Sequence, residues 1–258
     1  MPPGMRPPRS RAAFARATRY ESRAEVLRKA FDRGFFDEML GTYVLALDGE
    51  KRPCRVRTSN AGHALATGIA YPERALAVAR TLMAGDSFCG WGVRTVASGE
   101  ARYNPMSYHN GSVWPHDNAL IAAGFVRYGF RRDAARIFEG LFAASTYIDL
   151  RRLPELFCGF RRQRAQGPTF YPVACAPQAW AATAPLFMLQ SCLGLSFDTE
   201  HVQIVFEHPV LPNFLDEVVL ANLTVAGSSA AVALRRSGSQ VVAQVLERAG
   251  PVRVLVTT

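Results

Sequence analysis

Two carboxylates stand in settings where acid–base chemistry is possible. Asp117 opens an apolar run, with Leu120 and Ile121 three and four residues on and therefore on its own face of a helix. Its carboxylate is expected to point inward, at the helix end where the dipole favours an anion, with Trp114 beside it as an apolar wall. The same spacing also suits a first-turn acid that only stabilises its helix. Glu155 follows Pro154 and is flanked by Leu153, Leu156 and Phe157. Apolar surroundings would raise a carboxyl pKa toward a proton-transfer role, whereas Arg151 or Arg152 nearby would hold it ionised.

Several helix starts share one design. Ser59-Asn60-Ala61-Gly62-His63, Ser112-Val113-Trp114-Pro115-His116-Asp117-Asn118 and Ala176-Pro177-Gln178-Ala179-Trp180 each precede a small, apolar run. Ser or Asn at a cap and Pro in the first turn are ordinary helix initiation, but capping does not call for Trp, His, Asp and Gln as well. Trp91, Trp114 and Trp180 all lie near Gly, Pro or polar residues, as platforms for sugar faces would; each alone also fits a core position. His63, His109 and His116 lack the spacing of a zinc helix and read as hydrogen-bonding residues. No metal site and no cofactor is expected.

These residues need elements to hold them. The periodicity predicts helices over Glu21 to Leu40, Asn60 to Gly68, Pro72 to Met83, Val113 to Tyr128, Arg132 to Ser145 and Pro177 to Leu193. Tyr43 to Val56 reads as extended, turning at Asp48-Gly49. From about Glu200 short Val-rich segments (VQIVF, EVVLANLTV, AAVALRR, QVVAQVL and VRVLVTT) predict a small module of antiparallel strands packed on the helical body. The expected organisation is a disordered basic tail over 1–20, a helical body over 21–199 and a β-rich module over 200–258, mainly α overall.

Composition narrows the function classes. Six arginines against Glu21 place +5 of the +9 net charge before residue 24, and the remaining basic residues are scattered, so no nucleic-acid partner is expected. No apolar run approaches the roughly 20 residues of a membrane span, and no secretory leader is legible. Five cysteines without paired spacing indicate no disulfide framework. A cytoplasmic location without membrane association follows as the expectation.

The run from Tyr103 to Asn118, YNPMSYHNGSVWPHDN, closely resembles bacterial amylo-α-1,6-glucosidase and glycogen-debranching-like proteins. The runs from Leu153 to Phe160 (LPELFCGF) and from Tyr171 to Trp180 (YPVACAPQAW) are similar to later motifs of that family in the same order. The resemblance implies a partial (α/α)6 toroid of helical hairpins, with the site at one end of the inner helices, and inverting hydrolysis of α-glucosidic linkages in oligosaccharides. Such a mechanism uses a carboxylic acid and a water-activating carboxylate about 6.5–9.5 Å apart.

By this resemblance Glu155 is the general base. Asp117, His109, Asn110, Trp114, His116, Gln178 and Trp180, with Trp91 as a further platform, are sugar contacts or supports, and Asp117 is the fallback acid. The family's upstream Trp-Lys-Asp-Ser segment, whose Asp is the expected acid, has no counterpart here. The chain therefore reads as a carboxy-terminal portion, partnered by an upstream half or by its own copy. The competing readings are a sugar-binding remnant without activity and a toroid sugar isomerase working through histidines.

Overall fold

The computed structural model describes residues 11–257. Helix α1 (Arg11–Phe35) leads into two short hairpins, β1 (Phe36–Asp37) with β2 (Thr42–Tyr43) and β3 (Ala46–Leu47) with β4 (Pro53–Cys54), the second turning where Asp48-Gly49 predicts. Helices α2 (Asn60–Thr67), α3 (Pro72–Met83), α4 (Pro115–Arg127), α5 (Arg131–Ser145) and α6 (Ala179–Leu193) follow. α1 begins ten residues before the predicted helix, within the stretch expected to be a disordered tail. Ala12, Ala13, Ala15 and Ala17 alternate there with arginines, all strong helix formers. The remainder of that expected tail, residues 1–10, lies outside the described residues.

The helices start and stop for local reasons. Pro72 and Pro115 occupy first-turn positions, where a missing N–H costs nothing. Gly68 and Gly194 end α2 and α6 in the left-handed conformation. α4 is the central element, packed against α2, α5 and α6. Its approach to α2 is set by glycines from both sides: a Cβ on Gly62 would meet Ile121 Cγ1 at 2.6 Å, and one on Gly124 would meet the Ala66 nitrogen at 2.7 Å. Leu65, Ile121, Phe125, Ile137, Leu141 and Met188 are fully buried around this contact.

The carboxy-terminal strands are β5 (Leu195–Asp198), β6 (Gln203–Glu207), β7 (Glu217–Val225), β8 (Ser228–Ser237), β9 (Gln240–Ala249) and β10 (Arg253–Thr257). They form two three-stranded sheets, ordered β10-β6-β5 and β7-β8-β9, around a second core that includes Leu193, Ile204, Phe206, Val232 and Leu234. The expectation of purely antiparallel strands is corrected at one place: β10 pairs with β6 in parallel. Parallel pairing needs a long crossover, and the β7–β9 meander supplies it. With this second core and ten strands among the described residues, the helical body carries a substantial β component.

The module docks through Phe214, which stacks on Phe142 at 3.7 Å and meets Phe138 edge-on at 5.1 Å. The Asn213 N–H donates to Glu139 Oε1 at 2.8 Å.

α6 is apolar nearly all round, as a buried helix would be, yet Leu186 is 69% and Trp180 64% exposed. One side of α6 is thus uncovered. No described helix is long and apolar enough to cross a membrane.

The glycine contact between α2 and α4 gives a direct prediction. Gly124→Ala should destabilise the protein by about 1–3 kcal/mol in urea denaturation through overpacking. Gly34→Ala, at an exposed α1 position with nothing near its Cβ, should be neutral or stabilising by up to about 1 kcal/mol.

Candidate active site

Site geometry begins at the start of α4. Trp114 is extended and Pro115 begins the helix, which turns Asp117 into the protein; it is 8% exposed. Asp117 Oδ1 lies 2.5 Å from His63 Nε2 on α2. The hydrogen bond to Asp117 raises the pKa of His63 above its ordinary value, against an opposing effect of burial. Asn118, fully buried, accepts from the Val93 N–H at 2.6 Å and donates to the Val93 and Trp114 carbonyls at 3.0 Å each. These bonds fix where the helix begins. Asp117, His116, Trp114, Asn110 and His109 line a cavity of about 400 Å³, with Ser59, Asn60 and Thr95 opposite.

Glu155 reaches the same end of the body by backbone pairing. Val113 and Phe157 exchange hydrogen bonds of 2.9 and 3.1 Å, which sets the Glu155 segment beside the residues leading into α4. The Tyr108 hydroxyl donates to Glu155 Oε1 at 2.7 Å, and the Cys175 N–H donates to Oε2 at 3.3 Å. Bonding to the carboxylate pushes the Tyr108 hydroxyl pKa up to about 12, so it stays a donor at neutral pH.

Aromatic rings join the two carboxylate regions. Tyr108 meets Trp114 at 4.9 Å, Trp114 meets His116 at 5.6 Å and His116 meets Trp180 at 4.8 Å, all edge-on. His109 stacks parallel to Trp114 at 5.7 Å. His116 has a lowered pKa because it is buried, and it lies within electrostatic reach of both Asp117 and Glu155. Asp117 Oδ2, His116 Nδ1 and Gln178 Oε1 are buried without a hydrogen-bond partner. Asp117 and His116 line the cavity, as does Thr58, whose Oγ1 is likewise buried and unpartnered; three such atoms suit a ligand carrying many hydroxyl groups.

The family model of the mannosylglycerate hydrolase MGH1-like glycoside hydrolase domain matches residues 11–170. The chain belongs to that family. The matched residues are thus a glycoside hydrolase domain.

A sialidase structure superposes with a TM-score of 0.69 at 15% identity, covering 91% of this chain and 23% of that one. The GH78 family rhamnosidase of Bacillus sp. GL1 superposes at 0.62 and 17% identity, covering 95% of this chain and 24% of that one. The GH63 mannosylglycerate hydrolase from Thermus thermophilus is 24% identical, with a TM-score of 0.49 over 60% of this chain and 35% of that one. The chain thus spans about a quarter to a third of these structures' length. No curated protein matches it in sequence.

Within this glycoside hydrolase domain, contacts bring seven of the nine residues expected at the site to one end. Asp117, His109, Asn110, Trp114 and His116 line the cavity, Glu155 joins through Tyr108 and Trp180 through His116; Gln178 caps α6. Trp91 does not join them. It is 2% exposed, meets Tyr147 edge-on at 6.1 Å and is covered on its face by Arg162. Its glycine neighbours admit close packing rather than a ligand: a Cβ on Gly90 would meet Arg162 Cβ at 2.8 Å and one on Gly92 would meet Val113 Cγ1 at 2.7 Å.

Glu155 also differs from expectation in its surroundings, since two donors take the place of apolar enclosure. Neither Arg151 nor Arg152 pairs with it among the described residues. Tyr108 is a contact of Glu155 that the sequence does not single out, and His63, read from sequence only as a hydrogen-bonding residue, joins the site through Asp117. The shared design of the helix starts is the available signal for His63; nothing distinguishes Tyr108 from its neighbours.

The His63–Asp117 pair carries a pH signature. A raised folded-state pKa contributes stability that is fully present below the unfolded value of about 6.5 and lost as pH rises through the folded value. His63→Gln should therefore cost more stability at about pH 5.5 than at about pH 9, measured by urea denaturation at each. An equal cost at both would show that His63 gains nothing from protonation beside Asp117.

Proposed function

We propose that this domain supplies the base-bearing side of an inverting glycoside hydrolase site for α-glucosidic linkages in oligosaccharides, with amylo-α-1,6-glucosidase-like specificity. The observation that carries the reading is Glu155. It is a carboxylate oriented through one oxygen by the Tyr108 hydroxyl and through the other by the Cys175 N–H, at the end of the body where three buried polar atoms lack partners. A general base needs a fixed carboxylate with a lone pair left to take a proton from water. Each Glu155 oxygen has one donor and keeps capacity for another.

Asp117 suits a different role. His63 holds one oxygen as an acceptor, leaving Oδ2 to receive a sugar hydroxyl rather than to give up a proton. Trp114 and Trp180 supply ring surface at the cavity and its edge, and His109, Asn110, His116 and Gln178 supply polar contacts around it. The proton donor for the leaving oxygen then comes from a segment that precedes these helices in the family pattern. The uncovered face of α6, with Leu186 and Phe187 exposed, supports a covering partner on that side.

Purified alone, the chain should release little or no glucose from α-1,6-linked oligosaccharides. Supplying an upstream family segment with its acidic residue should restore turnover, and Glu155→Gln in the restored enzyme should lower kcat by roughly 10²–10⁴-fold while sugar binding, followed by tryptophan fluorescence, persists. Sugar binding without turnover in any combination would favour a binding module. Robust turnover by the isolated chain would bring Asp117 back as the acid, and Asp117→Asn would then be the substitution to make.

A further inference from the structure

A second cavity, about 720 Å³ in volume, shares no lining residue with the one around Asp117. Arg136, Arg161, Arg162 and Arg164 line it, and no carboxylate does. Only Arg136 is tied to an acid, Asp133 at 3.2 Å; Arg161, Arg162 and Arg164 form no ion pair among the described residues. Like charges crowded at one concavity repel, and low-dielectric walls strengthen the field that they share.

The loop carrying them is fixed in place. The Arg162 N–H donates to the Cys89 carbonyl at 2.8 Å, and the Arg162 guanidinium sits 4.5 Å over the Trp91 ring. Gly90 takes a left-handed φ of 94° where a Cβ would lie 2.8 Å from Arg162 Cβ, and Gly167 packs on the Tyr147 ring. Ala165 also adopts a left-handed φ, 61°, a conformation uncommon outside glycine that turns the loop back on itself. A concentration of unpaired guanidinium groups on a docked loop is a preformed anion receptor.

We infer that this cavity binds a small multivalent phosphoryl compound, the size and charge of a sugar phosphate or a nucleotide. Three unneutralised guanidiniums fit a ligand with several acceptor oxygens and more than one negative charge better than a single carboxylate. The cavity volume lies in the range of small-molecule sites, roughly 300–1,000 Å³. This site is independent of the glycosidase reading, and its test involves no hydrolysis.

The test is titration of the full chain with inorganic pyrophosphate, read by calorimetry and by the fluorescence of Trp91 beneath Arg162. Glucose 6-phosphate, ADP and neutral glucose are run in parallel. Pyrophosphate should bind saturably and more weakly as salt rises, glucose should not compete with it, and the tighter of the two organic phosphates identifies the source. Arg161→Ala with Arg164→Ala should weaken pyrophosphate at least tenfold, whereas removing equal charge from the strands, by Arg248→Ala with Arg253→Ala, should change it less than twofold. Absence of saturation up to roughly 10 mM, equal weakening by the two double variants, or much tighter capture of duplex DNA through the same arginines would each overturn the assignment.

Discussion

The site depends on one backbone crossing. Val113 and Phe157 exchange two hydrogen bonds while both are fully buried, and just beyond them Gly159 passes so close to the Gly111 carbonyl that a Cβ there would lie 1.7 Å from its oxygen. The loop that delivers Trp114, His116 and Asp117 is thereby locked against the segment that delivers Glu155. Without that lock the two carboxylates would sit on separate, independently moving loops. Catalytic geometry tolerates little such play, since misplacement by about 1 Å can cost about a hundredfold in rate.

The crossing is held by groups that are buried yet satisfied. Arg94 is buried and forms no ion pair among the described residues; its guanidinium donates to the Gly159 carbonyl at 2.6 Å and to the Asp86 carbonyl at 3.0 Å. A buried charge is tolerable when its hydrogen bonds are met, and these bonds stitch the segment after α3 to the one after Glu155. Asn118 does the same for the start of α4, using both its acceptor and its donors. Among the described residues a few buried side-chain atoms lack partners, and three of them, Asp117 Oδ2, His116 Nδ1 and Thr58 Oγ1, belong to residues that line the same cavity.

What the sequence makes legible follows from the range of the forces involved. The span Pro72 to Met83 agrees at both ends with the helix observed, because a proline start and apolar spacing are local signals. The start of α1 is less legible, because arginine and proline near the terminus suggest disorder while the alanines between the arginines favour a helix. The parallel pairing of β10 with β6 joins residues about fifty apart and leaves no local trace. Trp91 shows the limit of reading by type: its glycine neighbours resemble those of a ligand platform but make room for the side chains of Arg162, Val113 and Asn118. His63 and Asp117 lie on helices of similar design, yet their contact spans fifty-four residues, and only the glycine-mediated approach of α2 and α4 brings it about.

That approach also explains why the side of the site that carries Asp117 and His63 is well formed while the face of α6 is open. α4 carries the start of the site and is covered on both flanks, by α2 and α6, with α5 behind; its buried residues complete a core within the described chain. α6 has one covered face, through Ala181, Ala184, Met188 and Cys192, and one uncovered, through Leu186 and Phe187. The interior that positions Glu155, Asp117 and His63 therefore does not rely on whatever covers the outer face of α6. A partner docking there would meet Trp180 at the helix start, and through Trp180 the ring of His116.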